Sequence, residues 1–277
     1  MSSLTTTTAS LTSAPDLSSD DFRRVRRIAY ERAGLAIPPG KEGLVRSRVS
    51  KRLRERRIAT FSAYLDTVEA EGNGEEMVAL IDLLTTNKTD FFREPAHFDF
   101  LREQIVPVVA STGKPLRIWS AGCSSGEEPY TLSMVLRESL PPRHDFRILA
   151  TDICTKVIAT AKQGTYTAQQ LGDVSPERRR KWFTATGDGG ATVTAELRAP
   201  ISFAHLNLMA TWPMNGPFDA IFCRNVMIYF DKPTVTRLVN RFHQLLAPNG
   251  HLFIGHSESL TAIDHSYRYV QPAVYAK

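Results

Sequence analysis

Hydrophobic and polar positions follow two rhythms along this chain. After Ser18-Ser19-Asp20-Asp21, a helix-capping run, Phe22, Val25, Ile28 and Ala29 recur at helical spacing, and Ala33-Gly34 with Pro38-Pro39-Gly40 closes that helix. A second helix is expected from Lys41 to Ile58, where Val45, Val49 and Leu53 form an i, i+4 stripe. Two more, Phe61 to Ala70 and Glu75 to Leu84, are parted by Gly72-Asn73-Gly74. No strand pattern precedes Leu116. From there short apolar runs alternate with helices, the sign of a parallel sheet. The expected strands are Leu116 to Ala121, Phe146 to Ile153, Ile201 to Leu208, Phe218 to Val226, His251 to His256 and Tyr269 to Tyr275. A helix from Lys232 to Leu246 carries Val235, Leu238, Val239, Phe242 and Leu246 on one face and stops at Pro248-Asn249-Gly250.

The stretch from about 166 to 200 breaks the alternation. It holds a short basic helix after Ser175-Pro176, then Trp182-Phe183-Thr184, a turn at Gly187-Asp188-Gly189-Gly190, and Thr192-Val193-Thr194. That pattern predicts a small antiparallel hairpin inserted between sheet strands, a common place for partner contacts.

Charge adds a region to this picture. The net charge is +5, and Asp20 to Arg57 alone holds 13 Lys/Arg against 5 Asp/Glu, a local +8 that leaves the remainder at -3. The second predicted helix carries most of it. The three cysteines are scattered without C-x-x-C spacing, which argues against a disulfide framework or a zinc site and fits a reducing cytoplasm. The first residues are rich in Ser and Thr and lack the charged and apolar regions of a secretory signal. No apolar run approaches membrane-spanning length.

Candidate chemistry begins at Leu116 to Tyr130. A strand there breaks into a small-residue turn, Gly122 to Gly126, before a helix with Pro129 in its first turn. Such a loop lets a ligand approach the backbone, although an ordinary strand-to-helix turn has the same pattern. Glu127 and Glu128 stand where a dinucleotide site would place a pyrophosphate, so a cationic nucleoside fits better than a phosphorylated one, and S-adenosylmethionine is the common example. Asp152, ending the second strand, is placed to bond ribose hydroxyls or to cap the next helix. Asn207 and the pair Arg224-Asn225 end later strands on the same edge. The connection Thr85 to Pro95, polar with two aromatics and an arginine, suggests a lid over a cleft.

Five of these stretches, Thr86 to Glu94, Trp119 to Tyr130, Ala150 to Ile153, Asn207-Leu208 and Phe222 to Phe230, resemble in order the motifs of the CheR chemotaxis receptor methyltransferases. The resemblance covers the chain from about Asp20 to its end. It implies an α/β protein: an N-terminal all-helical domain, then a Rossmann-like S-adenosylmethionine-dependent methyltransferase domain with an inserted small antiparallel β-subdomain. The corresponding boundaries are a disordered tail at 1–16, a helical receptor-docking domain at 17–85, a connection at 86–115 contributing to the cofactor site, and the methyltransferase domain at 116–277.

By motif position, Asn87, Thr89, Arg93, Glu128, Asp152, Asn207, Leu208, Arg224 and Asn225 would contact S-adenosylmethionine. Arg93 and Tyr229 would act at the transferred methyl. Arg48, Lys51, Arg52 and Arg54 would dock the acidic cytoplasmic coiled coil of a chemoreceptor. The implied reaction is protein-glutamate O-methylation, giving glutamyl methyl esters and S-adenosylhomocysteine. A glutamate of ordinary pKa is already ionised at neutral pH, so the transfer needs no general base, and positioning supplies most of the rate. No metal, nucleic acid or membrane insertion is expected, and the protein is read as a cytoplasmic monomer. The short 187–190 turn points to action without a peptide tether at the receptor's C-terminus. The alternatives are an RNA methyltransferase, disfavoured because no aromatics interleave the basic helix, and a non-catalytic S-adenosylmethionine-sensing module.

Overall fold

The computed structural model describes residues 15–187 and 189–277. Most of the predicted tail, and Asp188 in the predicted hairpin turn, lie outside the described residues. The chain divides into two compact units, one reaching Ala29 and resuming at Ile37–Leu84, the other formed by Tyr30–Ala36 with Thr85–Lys277.

The first unit is built on α1 (Ser19–Ala33), α2 (Glu42–Arg56), α3 (Phe61–Glu71) and α4 (Glu75–Leu84). Its starts and stops follow local chemistry. The Ser18 hydroxyl accepts the Asp21 N–H at 3.1 Å, and the Thr60 hydroxyl accepts that of Ala63. After α2, Arg57 adopts a left-handed conformation and returns its N–H to the Arg54 and Leu53 carbonyls. The apolar stripes then meet in one core: Phe22, Val25 and Ile28 with Val45, Val49 and Leu53, Phe61, Tyr64 and Leu65, and Leu80.

In the second unit, α5 (Ala96–Phe100) runs through a π turn at Leu101–Ile105 into α6 (Val106–Thr112). There follow β1 (Leu116–Ala121), α7 (Glu127–Ser139), β2 (Phe146–Asp152), α8 (Thr155–Gln163), β3 (Thr165–Tyr166), α9 (Pro176–Trp182), β4 (Phe183–Ala185), β5 (Ala191–Val193), α10 (Ala195–Arg198), β6 (Ile201–His205) and β7 (Phe218–Cys223). A short 3-10 turn at Met227–Tyr229 precedes α11 (Lys232–Leu245), β8 (Leu246–Ile254), β9 (Arg268–Gln271) and β10 (Val274–Ala276).

The main sheet runs β6-β2-β1-β7-β8-β10-β9, parallel except for β10, which is antiparallel to both neighbours. Winding reverses between β1 and β7, and the loops leaving their carboxyl ends diverge there, which opens the ligand crevice of such sheets. Alternation along each strand feeds two cores. Ile118, Ala220 and Phe222 pack on one face, and Trp119, Ile221 and Cys223 on the other with Leu238, Val239 and Phe242 of α11. The buried indole N–H of Trp119 is satisfied by Thr151 Oγ1 at 2.9 Å.

The inserted hairpin is present and larger than its sequence suggested. β5 pairs antiparallel with β4 on one side and with β3 on the other. Beyond the earlier ends of β6, at His205, and β7, at Cys223, two strand expectations change. β8 begins at Leu246, directly after α11, because the 248–250 turn lies inside the strand region rather than before it. The single strand expected over 269–275 is two, since Pro272 has no N–H for a ladder and Ala273 turns the chain at φ 62°.

Candidate active site

The crevice is assembled from the ends of β1, β2 and β7. After β1 the chain reverses at Gly122, φ 91°, where the N–H groups of Gly122 and Cys123 both donate to the Thr151 carbonyl at 2.8 and 2.9 Å. A side chain on Gly122 would collide with Val226, and one on Gly126, φ 99°, would meet Tyr166 Oη at 2.9 Å. These glycines are required by the turn and by the protein's own packing, a reason the sequence pattern did not separate from ligand approach. Asp152 then fastens this loop to β2, accepting the Ser124 N–H with Oδ2 and the Cys154 N–H with Oδ1, both at 2.9 Å. Each carboxylate oxygen accepts two bonds, so this fastening is compatible with a ribose contact.

Arg224 leaves the end of β7 and is almost fully enclosed, its side chain 3% exposed. One guanidinium nitrogen donates to Glu128 Oε2 at 3.0 Å; the other donates to Glu94 Oε2 at 3.1 Å and to the Arg93 carbonyl. The Phe98 ring lies 5.5 Å away. Glu128 also accepts the Ser120 hydroxyl at 2.7 Å. Burial raises the pKa of Glu128, with Arg224 opposing it. For Glu94 burial pushes the same way, but Arg224 and the His256 N–H outweigh it and hold the carboxyl below its usual range. Glu127 is raised by burial, despite the Ser125 hydroxyl bonded to it at 2.7 Å.

The connection that reads as a lid is anchored along its length. Phe91 is buried edge-on against Tyr166 and Phe183, which on transfer arguments contributes roughly 2–3 kcal/mol. Phe92, at φ 55°, donates its N–H to Thr131 Oγ1 at 3.2 Å and lies 4.5 Å under the Arg178 guanidinium. Three consecutive carbonyls of this stretch are taken: Thr86 by the Tyr229 hydroxyl at 3.4 Å, Asn87 by the Ser124 hydroxyl at 2.8 Å, and Lys88 by Arg93 at 3.1 Å. Asn87, Arg93, Tyr229 and the glycine loop are thereby gathered, with Thr89 half-buried on the same segment. The Asn87 amide itself donates to Thr85.

At the neighbouring strand end, Asp152 and Leu206 share a backbone bond that places Asn207 and buried Leu208 beside the crevice. Asn207 is occupied by the protein: its amide donates to the Arg32 carbonyl and its Oδ1 accepts the Met209 N–H. The segment 30–36 further joins this unit through the Ala36 N–H to the Tyr229 carbonyl at 2.8 Å. Asn225 sits at φ 58°, and its N–H reaches Glu258 Oε2 at 2.9 Å. Glu258, which sequence reasoning missed, also accepts from Ile228 and Gly255 and so shapes the turn carrying Tyr229. Its only sequence signal is an acid just beyond the apolar end of β8.

The four predicted docking residues divide. In the first unit Arg48 donates to the Leu84 carbonyl at the end of α4, and Arg52 donates through Nε and a terminal nitrogen to fully buried Glu76 at 3.0 and 2.7 Å. Lys51 and Arg54 are exposed on α2.

Carboxyl groups at Asp152 and Glu128, with one enclosed guanidinium between Glu128 and Glu94, form an acceptor set suited to ribose hydroxyls and an ammonium group. That chemistry fits S-adenosylmethionine and disfavours a polyphosphate.

Comparisons with known proteins likewise find a helical part followed by a cofactor-binding part. Residues 87–276 match the family described as CheR methyltransferase, SAM binding domain, and residues 20–85 match CheR methyltransferase, all-alpha domain. The chain is 42% identical over 269 residues to chemotaxis protein methyltransferase 2 of Pseudomonas aeruginosa, covering 93% of this chain and 92% of that protein. It is 39% identical to the chemotaxis protein methyltransferase of Escherichia coli, over 94% of this chain and 91% of that one. A probable chemotaxis protein methyltransferase of Rhizobium etli is 41% identical over 84% of this chain and 90% of its own. The chain belongs to the CheR methyltransferase family.

Proposed function

We propose that this protein transfers the methyl group of S-adenosylmethionine to glutamate side chains of chemoreceptors, giving glutamyl methyl esters and S-adenosylhomocysteine. The observation that carries the reading is the convergence of Asp152, Glu128, Arg224 and the 86–93 segment on the sheet's switch point, in a chain similar over 93% of its length to a chemotaxis methyltransferase. When bound, S-adenosylmethionine supplies an electrophilic methyl group. Asp152 holds the ribose and Glu128 the ammonium, while Asn87, Thr89, Asn207, Leu208 and Asn225 line the remainder.

The acceptor carboxylate arrives ionised, so the protein's task is to align and desolvate it. Arg93 and Tyr229, both tied to carbonyls of the 86–88 segment, are the groups that receive it. Arg224 acts through Glu128 and Glu94, as a positioning residue. Receptor docking falls to Lys51 and Arg54, whose ammonium and guanidinium face solvent and suit an acidic coiled coil in the cytoplasm. In this reading one chain suffices for activity.

The test is transfer of labelled methyl from S-adenosylmethionine to receptor-containing membranes, followed by mild alkali. Label on receptor that leaves as methanol supports a glutamyl ester. Alkali-stable label would assign another acceptor, and no label despite S-adenosylmethionine binding would assign a sensing module.

A further inference from the structure

Two histidines far apart in sequence meet one glutamate beside the Arg224 clamp. Glu94, His97 and His256 each place one ligand atom within 4.8 Å of the other two. His97, on α5, is fully buried, and neither of its ring nitrogens has a hydrogen-bond partner among the described residues. Its Nδ1 lies 3.6 Å from Glu94 Oε2, beyond a hydrogen bond but within the reach of a shared ion. His256, just past β8, is exposed, with its ring edge-on to that of His97 at a centroid distance of 5.0 Å. The Phe253 ring also lies edge-on to His97, at a centroid distance of 5.6 Å.

A buried imidazole with two unpaired nitrogens is costly unless something binds them. Two imidazoles and a carboxylate are the donor set of a zinc-class ion, with three protein ligands leaving a fourth position for water. The opposing charge is Arg224, 3.1 Å from Glu94. That guanidinium is shared between Glu94 and Glu128, so two carboxyl groups face one cation. Arg224 can therefore retain Glu128 if Glu94 turns to a metal.

We propose that Glu94, His97 and His256 form a site for one zinc-class divalent cation, entered from the exposed His256 and competing with Arg224 for the Glu94 carboxylate. Glu94 and His97 stand at an i, i+3 ligand spacing that the reading of the sequence passed over, and nothing local brings His256 to them.

The test uses the full chain, stripped with chelator and titrated with Zn2+ against a chromogenic chelator, then with Co2+ while visible absorption is followed. One zinc per chain is expected, with affinity reduced roughly a hundredfold by His256→Ala and unchanged by His144→Ala, a histidine on another edge. Cobalt should show the stronger absorption of a four- or five-coordinate ion. Equal affinity of wild type and His256→Ala, no binding at micromolar zinc, or the weak spectrum of six-coordinate cobalt would each overturn the proposal. The cobalt spectrum of the wild type stands even if the variant misfolds.

Discussion

The two units treat buried charge in opposite ways. In the helical unit two guanidiniums, Arg52 and Arg56, serve the single fully buried carboxylate of Glu76, while keeping 19% and 42% of their own side chains open to solvent. In the sheet unit one enclosed guanidinium, Arg224, serves two carboxyl groups. The helical cluster is water-facing, Arg52 also meeting Glu75 and Glu55 at its rim, whereas the cluster around Arg224 is enclosed and holds more carboxyl than cation. Solvated cations such as Lys51 and Arg54 suit recognition of an acidic partner by steering, whereas an enclosed anionic surplus suits a small cationic ligand that replaces water.

The sharpest way to break this comparison is Arg224→Met. With their shared guanidinium gone, Glu94 and Glu128 are left buried without it, and such losses cost about 3–5 kcal/mol. Urea unfolding should show that loss, together with failure of S-adenosylmethionine binding. A loss below about 1 kcal/mol would mean that the clamp does not hold the connection to the sheet. Arg52→Met should be milder, about 1–2 kcal/mol, because Arg56 remains on Glu76 at 2.7 Å. The pair Arg52→Met with Arg56→Met should then exceed the sum of the single losses, since both act on one carboxylate.

Charge reversal on the solvated face tests the other half of the contrast. Lys51→Glu with Arg54→Glu should weaken receptor binding roughly tenfold, about 1.4 kcal/mol, with a smaller deficit at high salt and no change in S-adenosylmethionine affinity. Reversing Arg48 or Arg52 instead should disturb folding first, because their donors are used within the helical unit. Receptor methylation that is indifferent to Lys51 and Arg54 would move the docking surface elsewhere.

What the sequence made legible follows the range of each signal. Helices α2 to α4 could be placed from i, i+4 stripes, and the β1 turn from its glycines, because both patterns are local. The inserted hairpin was legible for the same reason. The split at Pro272 was missed because an apolar run, 269–275, outweighed one residue that cannot donate. Segment 30–36 reads as the end of a helix, yet its carbonyl at Arg32 and N–H at Ala36 belong to the sheet unit. Motif positions named Arg224 and Glu128 but not that they bond each other, and nothing local brings Glu258 or His256 to the crevice. Long-range pairing of charges is set by topology, which residue spacing does not encode.

The smallest effects should divide the units by the sign of their pH dependence. Glu69, bonded to Arg24 and Arg27 in the helical unit, is held below its usual value of 4.5. Its contribution is complete above that value and is lost as pH falls through the lowered one. Glu127, enclosed at the start of α7, is raised above 4.5 by burial. Its neutral form is the stabilised one, so its contribution is complete below 4.5 and is lost as pH rises through the raised value. Unfolding measured across acid and neutral pH should therefore find Glu69→Gln less stable than wild type at neutral pH, with the gap closing on acidification. Glu127→Gln should be the more stable protein at neutral pH, its advantage disappearing below the usual glutamate value. If Glu127→Gln instead loses stability at neutral pH, the Glu127 carboxylate is wanted ionised there, and the enclosed negative surplus of the crevice is larger than the Arg224 network alone implies.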